Sequence, residues 1–343
     1  MFKNPSKLLF LITLILGSII TISSTSWIGI WIGLEINLLS FIPLIINSNN
    51  LLSTEASLKY FLTQALASAV LLFTIIFFII NKEFFRQINL KSYFFNIIFL
   101  STLILKSGSA PFHFWFPEVI EGLTWINRLI LITWQKIAPL ILISYCIEIK
   151  FLIISIICCI LIGGLGGLNQ TSLQKIIAYS SINHLGWILR RIIFRETLWL
   201  TYFLFYSFLS ICVISLFNIF NLNHINQTFS LTKINPVIKF SIFFSLISLG
   251  GLPPFLGFFP KWLVIQALSS INQIFLLFLI VSLTLITLFF YIRVCFSAFI
   301  LNYTEILWNY SFYYKNFNIT ILLIISFFSL FGLILIRVIY PMF

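Results

Sequence analysis

The chain reads as an all-α, polytopic transmembrane bundle of about eleven spans, two of them discontinuous helices, and three observations predict this. The first is composition: 61% of the 343 residues are hydrophobic and 8% are charged, whereas a soluble fold uses roughly 25% charged residues to cover its surface. The second is a set of uncharged windows: Leu8–Leu34, Tyr60–Asn81, Phe151–Gln174, Thr197–Thr232, Ser241–Pro260, Trp262–Ile292 and Asn316–Ile336. Each is long enough to cross ~30 Å of hydrocarbon at 1.5 Å per residue. The third is that Gly and Pro interrupt two of the apolar runs, around Pro111 and around Pro253-Pro254.

Taken in order, the spans are 8–23, 26–46, 57–80, 92–108, 123–145, 150–168, 172–192, 197–221, 236–271 (broken), 275–300 and 318–341. Turn chemistry separates them, in Ser23-Ser24-Thr25-Ser26, Asn47-Ser48-Asn49-Asn50, Asn169-Gln170-Thr171-Ser172 and Asn221–Asn235. No polar stretch exceeds about twenty residues, so residues 1–343 are expected to form a single transmembrane domain. Leu8–Ser23 is apolar, but no small-residue cleavage site follows it, and no signal peptide is expected. Gly163 and Gly167 have small-xxx-small spacing, which close helix packing explains without any chemistry.

The breaks lie in Lys106-Ser107-Gly108-Ser109-Ala110-Pro111-Phe112-His113 and in Leu249-Gly250-Gly251-Leu252-Pro253-Pro254-Phe255-Leu256-Gly257. Proline removes a backbone donor, and the freed carbonyls must then face protein or water rather than lipid. Paired interrupted helices are a sequence pointer to a transport site. The bland alternative is a pair of simple loops. A lysine within a few residues of each break, Lys106 and Lys261, speaks for the transport reading.

Charge inside hydrocarbon needs a reason, since each such side chain costs roughly 2.5–3.5 kcal/mol on insertion scales. Glu35 lies midway through the second span and Lys136 near the middle of the fifth, joining Lys106 and Lys261. A single lysine could snorkel to the interface. Three lysines and a glutamate are better explained as a proton relay, because a buried lysine whose carboxylate partner comes and goes can take up and release a proton. His184, whose side-chain type titrates near ~6.5 unperturbed, can bridge a gap. Lys175 is nine residues earlier, on roughly the opposite face, and His113 sits at the first break. His184 equally suits a hydrogen-bonded interior role, and His113, at an aromatic-rich break (Phe112, Phe114, Trp115, Phe116), suits such a role better than a relay one.

Other function classes find little support. The net charge of +12 comes from scattered residues without a basic block or an interleaved aromatic platform, so no nucleic-acid partner is expected. Cys146, Cys158, Cys159, Cys212 and Cys295 show no metal-ligand spacing, and no metal site is expected. No GxGxxG fingerprint follows a strand.

Several stretches resemble one known family. Trp31-Ile32-Gly33-Leu34-Glu35-Ile36-Asn37, Thr54–Gln64, Lys106–Pro117, Trp134-Gln135-Lys136, Ser180–Trp187 and Gly250–Trp262 are similar, in order, to NADH dehydrogenase subunit 2. This is the mitochondrially encoded, antiporter-like subunit of respiratory complex I. The resemblance covers nearly the whole chain, and the position of Glu35 on the second span is like that of animal members.

It implies a core membrane subunit of NADH:ubiquinone oxidoreductase, multi-pass in the mitochondrial inner membrane, that couples electron transfer elsewhere to proton translocation. By resemblance Glu35 and Lys106 would form an ion pair, Lys136 would be the central relay lysine and Lys261 the exit-side one. Lys175, His184 and His113 would be secondary, and Gly108, Pro111, Pro253 and Pro254 would form the breaks. No cofactor is expected in this chain; NADH, FMN, iron–sulfur clusters and ubiquinone would belong to partner subunits. Expected partners are the other complex I subunits, especially neighbouring antiporter-like ones, and membrane lipids such as cardiolipin. Two other classes stay open: a stand-alone cation/proton antiporter, and a membrane scaffold whose buried charges only fix packing.

One oddity remains. The chain has 64 Ile and two Met. With Lys3 and Lys7 on the matrix side, eleven spans send eight basic residues to the other face: Lys82, Arg86, Lys91, Lys150, Arg190, Arg191, Arg195 and Arg337. Nine face the matrix, almost no positive-inside bias, while removal of the last four Arg restores the usual asymmetry. An invertebrate mitochondrial gene reads AGA as Ser and ATA as Met. A different table would write Arg and Ile, and this would account for both features. The rival is an A+T-biased composition with snorkelling arginines, Glu196 being a local partner for Arg195.

Overall fold

The computed structural model describes residues 5–47, 50–84, 89–194, 196–229, 236–300 and 316–339. Every named element is α-helical; among the described residues the only β feature is an isolated bridge between Ser172 and His224. Among the described residues, seven helices are long and apolar enough to cross a membrane, and three shorter apolar helices accompany them. Backbone groups that cannot reach water must be bonded within the chain, and a helix satisfies them locally.

The fold divides into two compact units, residues 1–159 and 160–343. The first holds α1 (Pro5–Ser23), α2 (Trp27–Ile45), α3 (Leu51–Phe84), α4 (Asn89–Ser107), α5 (Trp115–Gly122), α6 (Trp125–Ile132) and α7 (Trp134–Tyr145). The boundary falls within α8 (Ile149–Gly166). In this unit α2 packs between α1 and α3, α3 meets α4 and α5, and α7 meets α1, α4 and α6. Ser26 caps α2 by accepting from Gly29 N at 3.2 Å. The α1–α2 backbones approach so closely that a Cβ on Gly17 would lie 2.9 Å from Asn37 N, and one on Gly33 would lie 2.8 Å from Thr21 N. Two glycines at the crossing make that contact possible.

The second unit holds α9 (Leu173–Phe194), α10 (Glu196–Phe220), α11 (Ile225–Phe229), α12 (Pro236–Gly250), α13 (Phe258–Ser270), α14 (Ile274–Ile300) and α15 (Asn316–Ile339). Here α10 is central, touching α9, α12, α13 and α15. Gly163 meets Asn183 of α9 closely enough that a Cβ would sit 2.7 Å from its backbone nitrogen, in line with the packing role expected of the small-residue pair.

Both expected breaks are present, with different forms. The second is a pair of half-helices, α12 and α13, joined by a non-helical segment that starts at Gly251 (φ +78°). Its Leu256 N donates to Ser329 O of α15 at 3.3 Å, so a neighbouring helix supplies a partner for the freed backbone. The first leaves α4 whole to Ser107 and leads through the non-helical residues 108–114 into the short α5, which hydropathy alone did not separate. A third interruption was not expected: the span 123–145 divides at Thr133, where Lys136 N bonds Thr133 O at 3.3 Å and Thr133 Oγ1 back-bonds to Leu129 O at 2.7 Å. Threonine back-bonding bends helices, and Pro139 removes the next turn's donor.

Candidate functional site in the membrane

The first break is a tightly capped helix end. Gly108 is in the left-handed region (φ +73°), Gly108 N donates to Leu105 O and Ser109 N to Ile104 O, both at 3.1 Å. This is the Schellman closure that glycine favours. Trp115 of α5 adds its indole N–H to Leu105 O at 3.1 Å. Ala110 N donates to Cys159 Sγ at 3.1 Å, pinning the connection to α8. Lys106 is thereby held in the last turn of α4, 8% exposed, where the negative end of the helix dipole favours a cation.

The Thr133 joint does the same for Lys136. It turns the first residues of α7 towards three different partners. Trp134 Nε1 donates to Ser18 Oγ of α1 at 3.2 Å, and Gln135 Nε2 donates to Asn37 Oδ1 of α2 at 2.9 Å. Lys136 is 1% exposed, with its ammonium 4.7 Å from the centre of the Phe116 ring, a cation–π distance.

These pieces line a small cavity of about 20 Å³, with Asn37, Tyr60, Gln64, Lys106, Gln135 and Lys136 among its lining, room for about one water molecule. Two expected relay lysines, 30 residues apart in sequence, therefore share one polar space. Gln64 Nε2 also reaches Lys106 O at 3.4 Å. Asn37, Gln64 and Gln135 were not singled out from the sequence, although uncharged amides in apolar spans are a usable signal. Glu35, half-buried on α2, acts electrostatically on Lys106. The expected ion pair is not a direct one: among the described residues, N···O approaches within 4.0 Å are made by Lys59 to Glu55 and to Glu118, each 2.9 Å. The Lys106 side chain turns to the amide-lined cavity, of which Glu35 is not a lining residue. His113 bonds Pro111 O at 3.2 Å and stacks on Phe114, also away from the cavity lining.

The second unit builds its own buried site. Lys261, 6% exposed in the first turn of α13, donates to Gly250 O at 2.7 Å, a carbonyl at the end of α12 beside the break. A Cβ on Gly251 would meet Lys261 Cδ at 2.9 Å, so glycine there leaves the path of the lysine open. The ammonium lies 5.8 Å from the Trp187 ring, which stacks on Tyr202 at 6.5 Å and 12°. Tyr202 in turn bonds His184 Nδ1 at 3.0 Å. Lys175 is half-buried in the first turn of α9, two and a half turns from His184.

The family described as "NADH:quinone oxidoreductase/Mrp antiporter, TM" matches residues 24–287, and "NADH dehydrogenase subunit 2 C-terminus" matches 288–340. The chain is 58% identical over 341 residues to NADH-ubiquinone oxidoreductase chain 2 of Anopheles gambiae, covering 98% of this chain and 99% of that one. This chain belongs to the NADH-ubiquinone oxidoreductase chain 2 family. The Aedes aegypti member of the chain 2 family is 56% identical over 339 residues, covering 98% and 99% of the two chains. A chain in the structure of respiratory complex I from Thermus thermophilus with bound Aureothin aligns with a TM-score of 0.85 at 21% identity, over 98% of this chain and 80% of that one. At that identity the likeness speaks for the fold alone; the antiporter-like character of the chain 2 bundle comes from the family match over residues 24–287.

Proposed function

We propose that this chain moves protons through buried lysines, with Lys106 and Lys136 as neighbouring carriers in one relay and Lys261 as a further carrier. The chain is a membrane subunit of complex I, multi-pass in the mitochondrial inner membrane. One observation carries the relay reading: Lys106 and Lys136 line the same buried cavity, among amides that can bond an ammonium at either end. Two cations in one low-dielectric space repel strongly. A proton arriving at one lysine therefore favours its release from the other, and the nearby Glu35 charge sets which lysine is favoured.

Driving one charge against 100 mV takes about 2.3 kcal/mol. Strengthening or weakening the Glu35–Lys106 attraction is a change of that order when both groups are shielded from water. The redox chemistry, with NADH, FMN, iron–sulfur clusters and ubiquinone, belongs to partner subunits, and neighbouring antiporter-like subunits and lipids such as cardiolipin pack against this one. Complex I carrying Lys136→Met, reconstituted in vesicles and assayed for protons moved per electron, tests the reading. A reduced ratio is expected. An unchanged ratio with normal electron transfer would leave a scaffold role. Cation exchange by the chain purified alone would favour a stand-alone antiporter.

A further inference from the structure

We infer that Tyr202 is the positioning residue that lets His184 exchange a proton while buried; this rests on the relay reading above. His184 and Tyr202 are both buried, and the Nδ1···hydroxyl contact is 3.0 Å. A ring nitrogen changes from acceptor to donor when imidazole gains a proton there. Most buried partners satisfy only one of these states: a carbonyl accepts and an ammonium donates. A tyrosine hydroxyl does both, donating to bare Nδ1 and accepting from Nδ1–H by rotating its own proton. His184 thus keeps its bond in either protonation state, and the cost of an unmet buried polar atom is avoided.

The surroundings hold the pair in register. Tyr206 packs its ring on His184 at 4.7 Å, and Trp187 stacks on Tyr202 while facing the Lys261 ammonium. The sequence of groups from Gly250 O through Lys261, Trp187 and Tyr202 to His184 is continuous within the second unit. The titratable or charged groups facing the pair are Tyr206, the buried Tyr291 of α14, Lys261 beyond Trp187, and Arg191, whose guanidinium carbon is 5.7 Å from the Tyr202 ring centre.

Tyr202→Phe in the intact complex keeps the ring and removes the hydroxyl. The expected result is fewer protons per electron and an altered pH profile of pumping, with electron transfer retained; Ser207→Ala, which removes a hydroxyl of the same helix that bonds only Leu204 O among the described residues, should change neither. The ratio is counted per electron, so a smaller assembled amount does not enter it. A wild-type ratio and profile in Tyr202→Phe, or equal losses in both variants, overturns the proposal. Lys136→Met run alongside separates the two readings. A loss there without one in Tyr202→Phe removes only the tyrosine role, while no loss in Lys136→Met removes the relay itself.

A second inference stands on different observations. Arg190 and Arg191 are each 1% exposed and adjacent, and among the described side chains, to which Glu196 does not belong, no carboxylate lies within 4.0 Å of either. Arg190 Nη2 bonds Gln273 Oε1, and Arg191 Nη1 bonds Leu198 O at 2.5 Å and Thr201 Oγ1 at 2.8 Å. Among the described residues, Arg190 Nε and Arg191 Nε and Nη2 have no hydrogen-bond partner. Their other described neighbours are the Phe194 and Tyr202 rings, 4.5 and 5.7 Å from the guanidinium carbons, and two adjacent buried cations are costly where no carboxylate joins them. Serine is the residue this helix buries readily: Ser180 and Ser181 bond the carbonyls three residues back at 2.8 and 2.7 Å.

The geometry points to serine at positions 190 and 191 in the chain the organelle makes, with AGA codons read by the invertebrate mitochondrial code. The side chains of Arg195, Glu196 and Arg337 lie outside the described residues. Tryptic and chymotryptic mass spectrometry of the native complex across Ile188–Leu198 decides the matter. Uncut peptides with serine masses at both positions are expected; peptides ending at Arg190 or Arg191 overturn the inference.

Discussion

The Gln135 side-chain amide donates to Asn37 Oδ1 at 2.9 Å, joining the first turn of α7 to α2 directly beside Lys136. The two residues are 98 apart in sequence, and both line the cavity that holds Lys106 and Lys136. Replacing Gln135 by Met leaves a buried amide oxygen without its donor, at a cost of about 1–3 kcal/mol. Thermal unfolding of the assembled complex should show that loss, and adding Asn37→Leu should recover part of it.

Gly108→Ala tests the first break. The left-handed conformation costs a non-glycine residue about 1–2 kcal/mol, and the new Cβ would also meet the Phe116 ring at 2.7 Å. Because Phe116 faces the Lys136 ammonium, pumping should fall together with stability. Normal proton-to-electron ratios in this variant would show that Phe116 can shift freely.

Gly33→Ala should weaken the α1–α2 crossing without touching any charge. Its Cβ would lie 2.6 Å from Thr21 Cγ2 and 2.8 Å from Thr21 N, and the backbone cannot yield as a side chain can. Overpacking of this kind costs about 1–3 kcal/mol. The expected outcome is less assembled complex with an unaltered proton ratio in what remains.

Lys261→Met removes the donor that bonds Gly250 O at the second break. Protons per electron should drop, as in Lys136→Met. Lys261→Arg should recover assembly without recovering pumping, because guanidinium keeps its proton.

Lys59→Met serves as the contrasting case. Its partners Glu55 and Glu118 are about as exposed as a surface pair, with side-chain exposures of 60% and 55%. Exposed pairs contribute little, so pumping per electron should match wild type in the same vesicle assay.

The residue string determined the membrane class, the breaks at Pro111 and Pro253-Pro254, and the lysines beside them, because hydropathy and proline chemistry are local. Lys106, Lys136 and Lys261 stood out for the same reason: a charge in an apolar run is visible without knowing what it touches. The partners were not visible. The Asn37–Gln135 bond, the shared cavity of Lys106 and Lys136, the Tyr202 hydroxyl on His184 and the Gly17–Gly33 crossing all join separate helices. A soluble helix advertises its inward face by an apolar stripe. Here lipid and protein interior are both apolar, so the many apolar residues of α2 and α10 surround the few polar ones and mark no single inward stripe. Only tertiary packing decides which side of each helix turns inward, and with it which buried polar groups meet.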